Sequence, residues 1–114
     1  MFTDPLRKNT QFRHVYKNGR PRGGGLLVVY AYPNLENRNR LGLSVSKKVG
    51  KSVVRSRVKR LIKEAYRTQE ARFCVGYDIV VVAKPTCASS GFHEIQDAML
   101  SALRKHRIVR GCTQ

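Results

Sequence analysis

The side chains best suited to chemistry in this chain are cations. Between Lys47 and Arg67 (KKVGKSVVRSRVKRLIKEAYR) stand nine of the 23 Lys and Arg residues and a single acid, Glu64. Nine minus one leaves +8, half of the formal +16, within 21 residues. Ordinary solvated faces mix both signs for solubility, and this one does not. The chemistry such a density suits is the holding of a polyanion, by charge and by N–H donors. A sequence pI near 10.7 points the same way, to nucleic acid before an acidic membrane surface.

Hydrolytic chemistry has no comparable signature. Asp4, Glu36, Glu64, Glu70, Asp78, Glu94 and Asp97 form no DxD or ExK-type cluster. Glu94 and Asp97, three apart near a helix start, read as partners of the helix dipole. GxSxG, phosphate-loop and HExxH motifs are missing. Gly23 to Gly25 precede no helix, so they are not a dinucleotide fingerprint. Cys74, Cys87, Cys112, His14, His93 and His106 are scattered without metal-ligand spacing, which argues against zinc. An odd number of cysteines without a pairing pattern suits reduced thiols in a cytosolic protein.

The basic stretch must ride on a helix. Val54, Val58, Leu61, Ile62 and Ala65 recur at i, i+4, i+7, i+8 and i+11, an amphipathic spacing that predicts a helix over 52–68. With Val54 at zero, the apolar stripe spans about −20° to +80° of the wheel. Lys59, Lys63, Ser56, Arg67 and Arg60 fall between about 140° and 240°, with Arg55 and Arg57 on the flanks. Like charges at Arg55–Lys59 and Lys59–Lys63 cost a few tenths of a kcal/mol each in isolation. Ser52 is the expected N-cap, Gly50 lets the chain turn before it, and Lys47, Lys48 and Lys51 surround its entry. Backbone N–H groups at such a start favour phosphate.

The remaining elements follow from pattern and punctuation. A short helix is expected over 9–18, capped by Asn9 or Thr10 and ended by Gly19; an earlier start, with Asp4 as cap and Pro5 in the first turn, is the alternative. Phe12 and Tyr16 share its face with Val15, and spacing alone favours their packing in a core over a stacking platform. Arg20 to Gly25 is a basic connection with room for a short edge strand. Leu26–Tyr32 and Leu41–Ser46 read as strands, and the short polar loop between them predicts an antiparallel hairpin. Gly42, Ser44 and Ser46 form a poor core face, an open surface that Tyr30 can join. Tyr77–Lys84 is nearly all apolar, a central strand covered on both faces. A second long helix is expected from Phe92 to about Arg107, capped by Ser90 or Ser89, before a frayed tail, IVRGCTQ. The fold class is α+β: a small mixed sheet with helices packed mainly on one face.

At 114 residues with 41% hydrophobic side chains, the chain fits a single domain, 1–114. It carries no run of 18 apolar residues and no apolar signal segment near Met1, so the expected location is the cytoplasm.

LGLSVSKKVGKSVVRSRVKRLIKEAYR, with the leading Phe12/Tyr16 helix, the VVY strand, the YDIVVVAKP strand and the last helix in order, resembles the bacterial ribonuclease P protein subunit. Here the motif reads Arg55-Ser56-Arg57-Val58-Lys59-Arg60, with Ser56 where the family usually has Asn. The resemblance implies a ribosomal protein S5 domain 2-like fold with a left-handed crossover around the basic helix. It implies that the protein joins a catalytic RNA and helps remove the 5′ leader of precursor tRNA, with Mg²⁺ bound mainly by RNA and substrate. The protein itself is then expected to supply neither catalytic residues nor metal ligands, and to need no obligatory protein partner or membrane. It further implies a leader cleft of Phe12, Tyr16, Tyr30, Lys48, Ser56, Lys59 and Lys63, which reverses the core reading of the two leading aromatics. Lys47, Lys51, Arg55, Arg57, Arg60 and Arg67 would contact the catalytic RNA. The competing readings are a small structural RNA-binding protein of ribosomal type and an independent metal-dependent nuclease.

Overall fold

A computed structural model describes residues 3–6 and 8–109. In chain order the elements are β1 (Asp4–Pro5), α1 (Asn9–Asn18), β2 (Arg20–Gly23), β3 (Leu27–Pro33), β4 (Arg40–Ser44), α2 (Ser52–Gln69), β5 (Tyr77–Ala83) and α3 (Phe92–Lys105). The strands form one sheet in the order β1-β4-β5-β3-β2. β5 lies at its centre, where its continuous apolar run is covered on both faces.

The expected hairpin does not form. β5 inserts between β3 and β4, antiparallel to the first and parallel to the second. The loop after β3 explains the separation. Asn34 donates its backbone N–H to Gly76 O (2.8 Å), and Asn39 accepts from Tyr77 N–H (2.9 Å) and donates to Cys74 O (2.9 Å). These polar residues carry the chain across the start of β5 and satisfy its backbone. The parallel β4–β5 pair is then joined through α2, as a parallel connection requires.

Strand alternation divides the apolar side chains between two faces. Leu27, Val29, Leu41, Ile79, Val81 and Ala83 meet Val58, Ile62, Ala65 and Tyr66 of α2 and Ile95, Met99, Ala102 and Leu103 of α3 in the main core. On the opposite face Val80 packs with Val15 of α1 and Leu6, beside Phe12, Tyr30 and Val82. Two helices therefore cover one face and α1 covers part of the other.

Four local expectations change. Lys51, not Ser52, is the residue before the first turn of α2, without a side-chain cap. Gly91 precedes α3, and Glu94 accepts its N–H at 2.8 Å, while Ser90 bonds back to Thr86 O. Ile108 and Val109 are buried rather than frayed, because the chain turns back after α3 and Val109 bridges Phe73; residues 110–114 of the expected tail lie outside the described residues. Asp4–Pro5 is a strand beside β4, so the early helix start does not occur. Among the described residues no helix is long and apolar enough to cross a membrane.

Candidate nucleic-acid interface

α1 crosses the sheet because Val15, fully buried, seats it on Val80. Phe12 and Tyr16 lie on one flank of that contact. The Phe12 ring rests where Gly42 has no side chain: a Cβ there would stand 2.6 Å from Phe12 Cζ. Tyr16, 37% exposed, meets Tyr30 edge-on, with ring centroids 5.0 Å apart and planes at 89°. Register continues this face through Val28, Val82 and Ser44, aligned side by side on β3, β5 and β4. Phe12, Tyr16 and Tyr30 are thus brought together, each with part of its ring outside the core. Half-buried rings on an open sheet offer π-faces to unpaired bases without demanding a base identity.

A second aromatic pair brackets the helix. His14 meets Tyr32 at 5.2 Å, and His14 is about 160° round the helix from Tyr16. The two pairs hold α1 from both sides. Strand alternation alone puts Tyr32 on the same face as Tyr30, but only the packing of α1 on the sheet shows that His14 meets it.

The outer face of α2 is built differently. Its apolar stripe is spent on the sheet face opposite α1, which leaves its cations facing outward. Lys47, Lys48, Lys51, Ser56, Lys59, Arg60 and Lys63 are exposed, and among the described residues none of their side chains has a hydrogen bond or ion pair. Three arginines are already engaged. Arg55 donates to Gly50 O (3.1 Å). Arg57 donates through Nη1 to Ala88 O (3.1 Å) and through Nη2 to Ser90 O (2.8 Å), tying α2 to the turn before α3. Arg67 pairs with Glu64 through both Nε and Nη2, and that guanidinium holds the Glu64 carboxyl below its usual pKa.

The expected site residues therefore fall into two groups. Phe12, Tyr16 and Tyr30 form one cluster. Ser56, Lys59 and Lys63 run along α2, with Lys48 at its entry, and α2 packs on the other side of the sheet from α1. Of the six cations expected to meet catalytic RNA, Lys47, Lys51 and Arg60 are free, whereas Arg55, Arg57 and Arg67 are held by the protein itself. Nothing in a sequence distinguishes an arginine aimed at phosphate from one that satisfies carbonyls 31 and 33 residues away.

Elsewhere the polar groups are structural. Arg40 grips Asp78 through Nε and Nη2 at 2.7 and 2.8 Å, joining β4 to β5. Among the described residues no three His, Cys, Asp or Glu side chains are grouped to hold a metal ion.

Comparison with known proteins decides among RNA-binding folds. The family model for ribonuclease P matches residues 3–107. The chain belongs to the ribonuclease P family. The ribonuclease P protein component of Alkaliphilus metalliredigens is 48% identical over 104 residues, covering 91% of this chain and 94% of that protein. That of Clostridium acetobutylicum is 46% identical over 106 residues, covering 91% and 89%. The RNase P protein of Staphylococcus aureus superposes with a TM-score of 0.85 at 30% identity, covering 93% of this chain and 97% of that one. The Thermotoga maritima RNase P protein gives 0.82 at 26%, covering 90% and 96%. The α+β architecture is thus that of solved ribonuclease P proteins. Membership makes this chain part of the ribonuclease P endoribonuclease, an enzyme with an RNA partner.

Proposed function

We propose that the chain binds the catalytic RNA of ribonuclease P through the outer face of α2 and the 5′ leader of precursor tRNA through the α1 cleft, in the cytoplasm. In that role it assists Mg²⁺-dependent endonucleolytic removal of the leader, with the chemistry carried by the RNA. The observation that carries this reading is the division of the surface. The half-buried Phe12 ring over Gly42, with the Tyr16–Tyr30 pair, suits unpaired bases, and a separate row of uncompensated cations suits a folded RNA backbone. In this reading Mg²⁺ is held mainly by the RNA and the substrate, and this chain's residues act by binding and positioning.

Cleavage of precursor tRNA with protein alone, catalytic RNA alone, and both at low Mg²⁺ tests the proposal. The protein alone is expected to be inactive and the pair to cleave where the RNA alone does not. Cleavage by the protein without RNA, or no help to the RNA at low Mg²⁺, would overturn it.

A further inference from the structure

The first two turns of α2 carry an open groove of about 390 Å³, lined by Ser52, Val53, Ser56, Arg57 and Arg60. We propose that this groove seats an unpaired nucleobase of the RNA partner, not merely backbone phosphates; the inference rests on the reading of α2 as the face for catalytic RNA.

Val53 is the first reason. It is 79% exposed, in a groove otherwise lined by two serines and two arginines. The core makes no use of it, because Val54 and Val58 supply the packing there. A surface meant only for phosphate gains nothing from an apolar side chain in its groove.

Arg57 is the second. Its Nη1 and Nη2 each donate to a carbonyl, Ala88 O and Ser90 O, which engages two of its five N–H groups. A guanidinium held by two carbonyls is fixed in orientation, and beside its three remaining N–H groups it offers the groove a flat, charged plane. Unstacked bases settle on arginine planes, and extruded ones are also held against apolar side chains. The hydroxyls of Ser52 and Ser56 and the guanidinium of Arg60 have no partner among the described residues, so they remain for the edge of the base or the adjoining backbone. One groove thus combines a fixed plane, an apolar contact and free donors, the set that recognises a splayed nucleotide.

A base contact and a phosphate contact respond differently to salt. Losing a phosphate contact flattens the dependence of log K on log salt, whereas losing a stacking contact lowers affinity equally at every salt concentration. The test is a salt titration of binding between the full chain and ribonuclease P catalytic RNA, for the wild type, Val53→Ala and Val53→Tyr. Val53→Ala should weaken binding roughly fivefold, the scale of losing about one buried methylene's worth of apolar contact, with an unchanged slope. Val53→Tyr offers a larger face and should bind at least as tightly as the wild type. Full affinity in Val53→Ala, a flattened slope, or loss of binding in Val53→Tyr each overturns the nucleobase site while leaving α2 as the RNA face. Failure of the wild type to bind the RNA would remove both readings.

Discussion

The α1 side of the sheet and the outer side of α2 differ in how much of the fold each surface consumes. Phe12 and Tyr30 are half-buried and pack beside Leu6, Val15 and Val80, so the groups available to a ligand are also groups that hold α1 down. On α2 the burden is separated. Val58, Ile62, Ala65 and Tyr66 do the packing, and Lys59, Arg60 and Lys63 are free of it. The α1 cleft is therefore pre-shaped but fragile, whereas the α2 face is tolerant in stability and sensitive only in electrostatics. Substitutions on the first side should change folding and function together, and those on the second should change binding alone.

The largest effect is expected from Gly42→Val. Its Cβ would lie 2.6 Å from the Phe12 ring, with Leu6 Cβ at 3.1 Å, so Phe12 or α1 itself must move. Overpacking of this kind costs about 1–3 kcal/mol. Urea unfolding should show that loss, and the preference for leader-bearing over mature tRNA should vanish with it. Catalytic-RNA affinity of the folded fraction should persist. A matching fall in catalytic-RNA affinity would show that the two sides are not separable.

Phe12→Ala comes next. It removes a ring that both packs and is offered to a base, a contribution of about 1–3 kcal/mol per stacked base. Precursor tRNA binding to the holoenzyme should weaken by that amount and mature tRNA binding should not. Equal losses on both substrates would return Phe12 to a purely packing role.

How much of this contrast was readable beforehand depends on the distance over which each feature is decided. The bounds of α1, the amphipathic run of α2 and the central place of Tyr77–Ala83 are local patterns, and the structure repeats them. The pairing of β3 with β5 is not local. It depends on Asn34 and Asn39 finding the backbone around Gly76 and Tyr77, which no short-range rule signals. Asp4–Pro5 is too short to show any period. In the site, charge density was legible and charge availability was not. Arg57 and Arg60 look alike in the motif, yet one is tied to two carbonyls and the other is free. Val53 could have been noticed, since the same wheel that defines the cationic arc places it at about 260°.

Arg60→Ala tests the tolerant side. With no partner to lose, stability should stay within about 0.5 kcal/mol of the wild type. Affinity for catalytic RNA should fall most at low salt, and the log–log slope should flatten by about one unit for one lost phosphate contact. Lost stability with an unchanged slope would mean that α2 mixes packing with binding as α1 does.

The smallest effect belongs to Arg67 and Glu64, the one place on the outer face of α2 where the described residues pair a cation with an acid. A phosphate approaching Arg67 must displace the Glu64 carboxylate, which already accepts two of its N–H groups. Arg67→Ala should therefore flatten the salt slope less than Arg60→Ala does. Glu64→Gln removes the competing charge while keeping a good helix former, and it should tighten RNA binding by roughly two- to fivefold at low salt, the scale of an exposed ion pair. If Arg67→Ala instead costs as much slope as Arg60→Ala, the carboxylate gives way completely to RNA. If Glu64→Gln changes nothing, the last turns of α2 lie beyond the RNA, and the interface ends between Lys63 and Arg67.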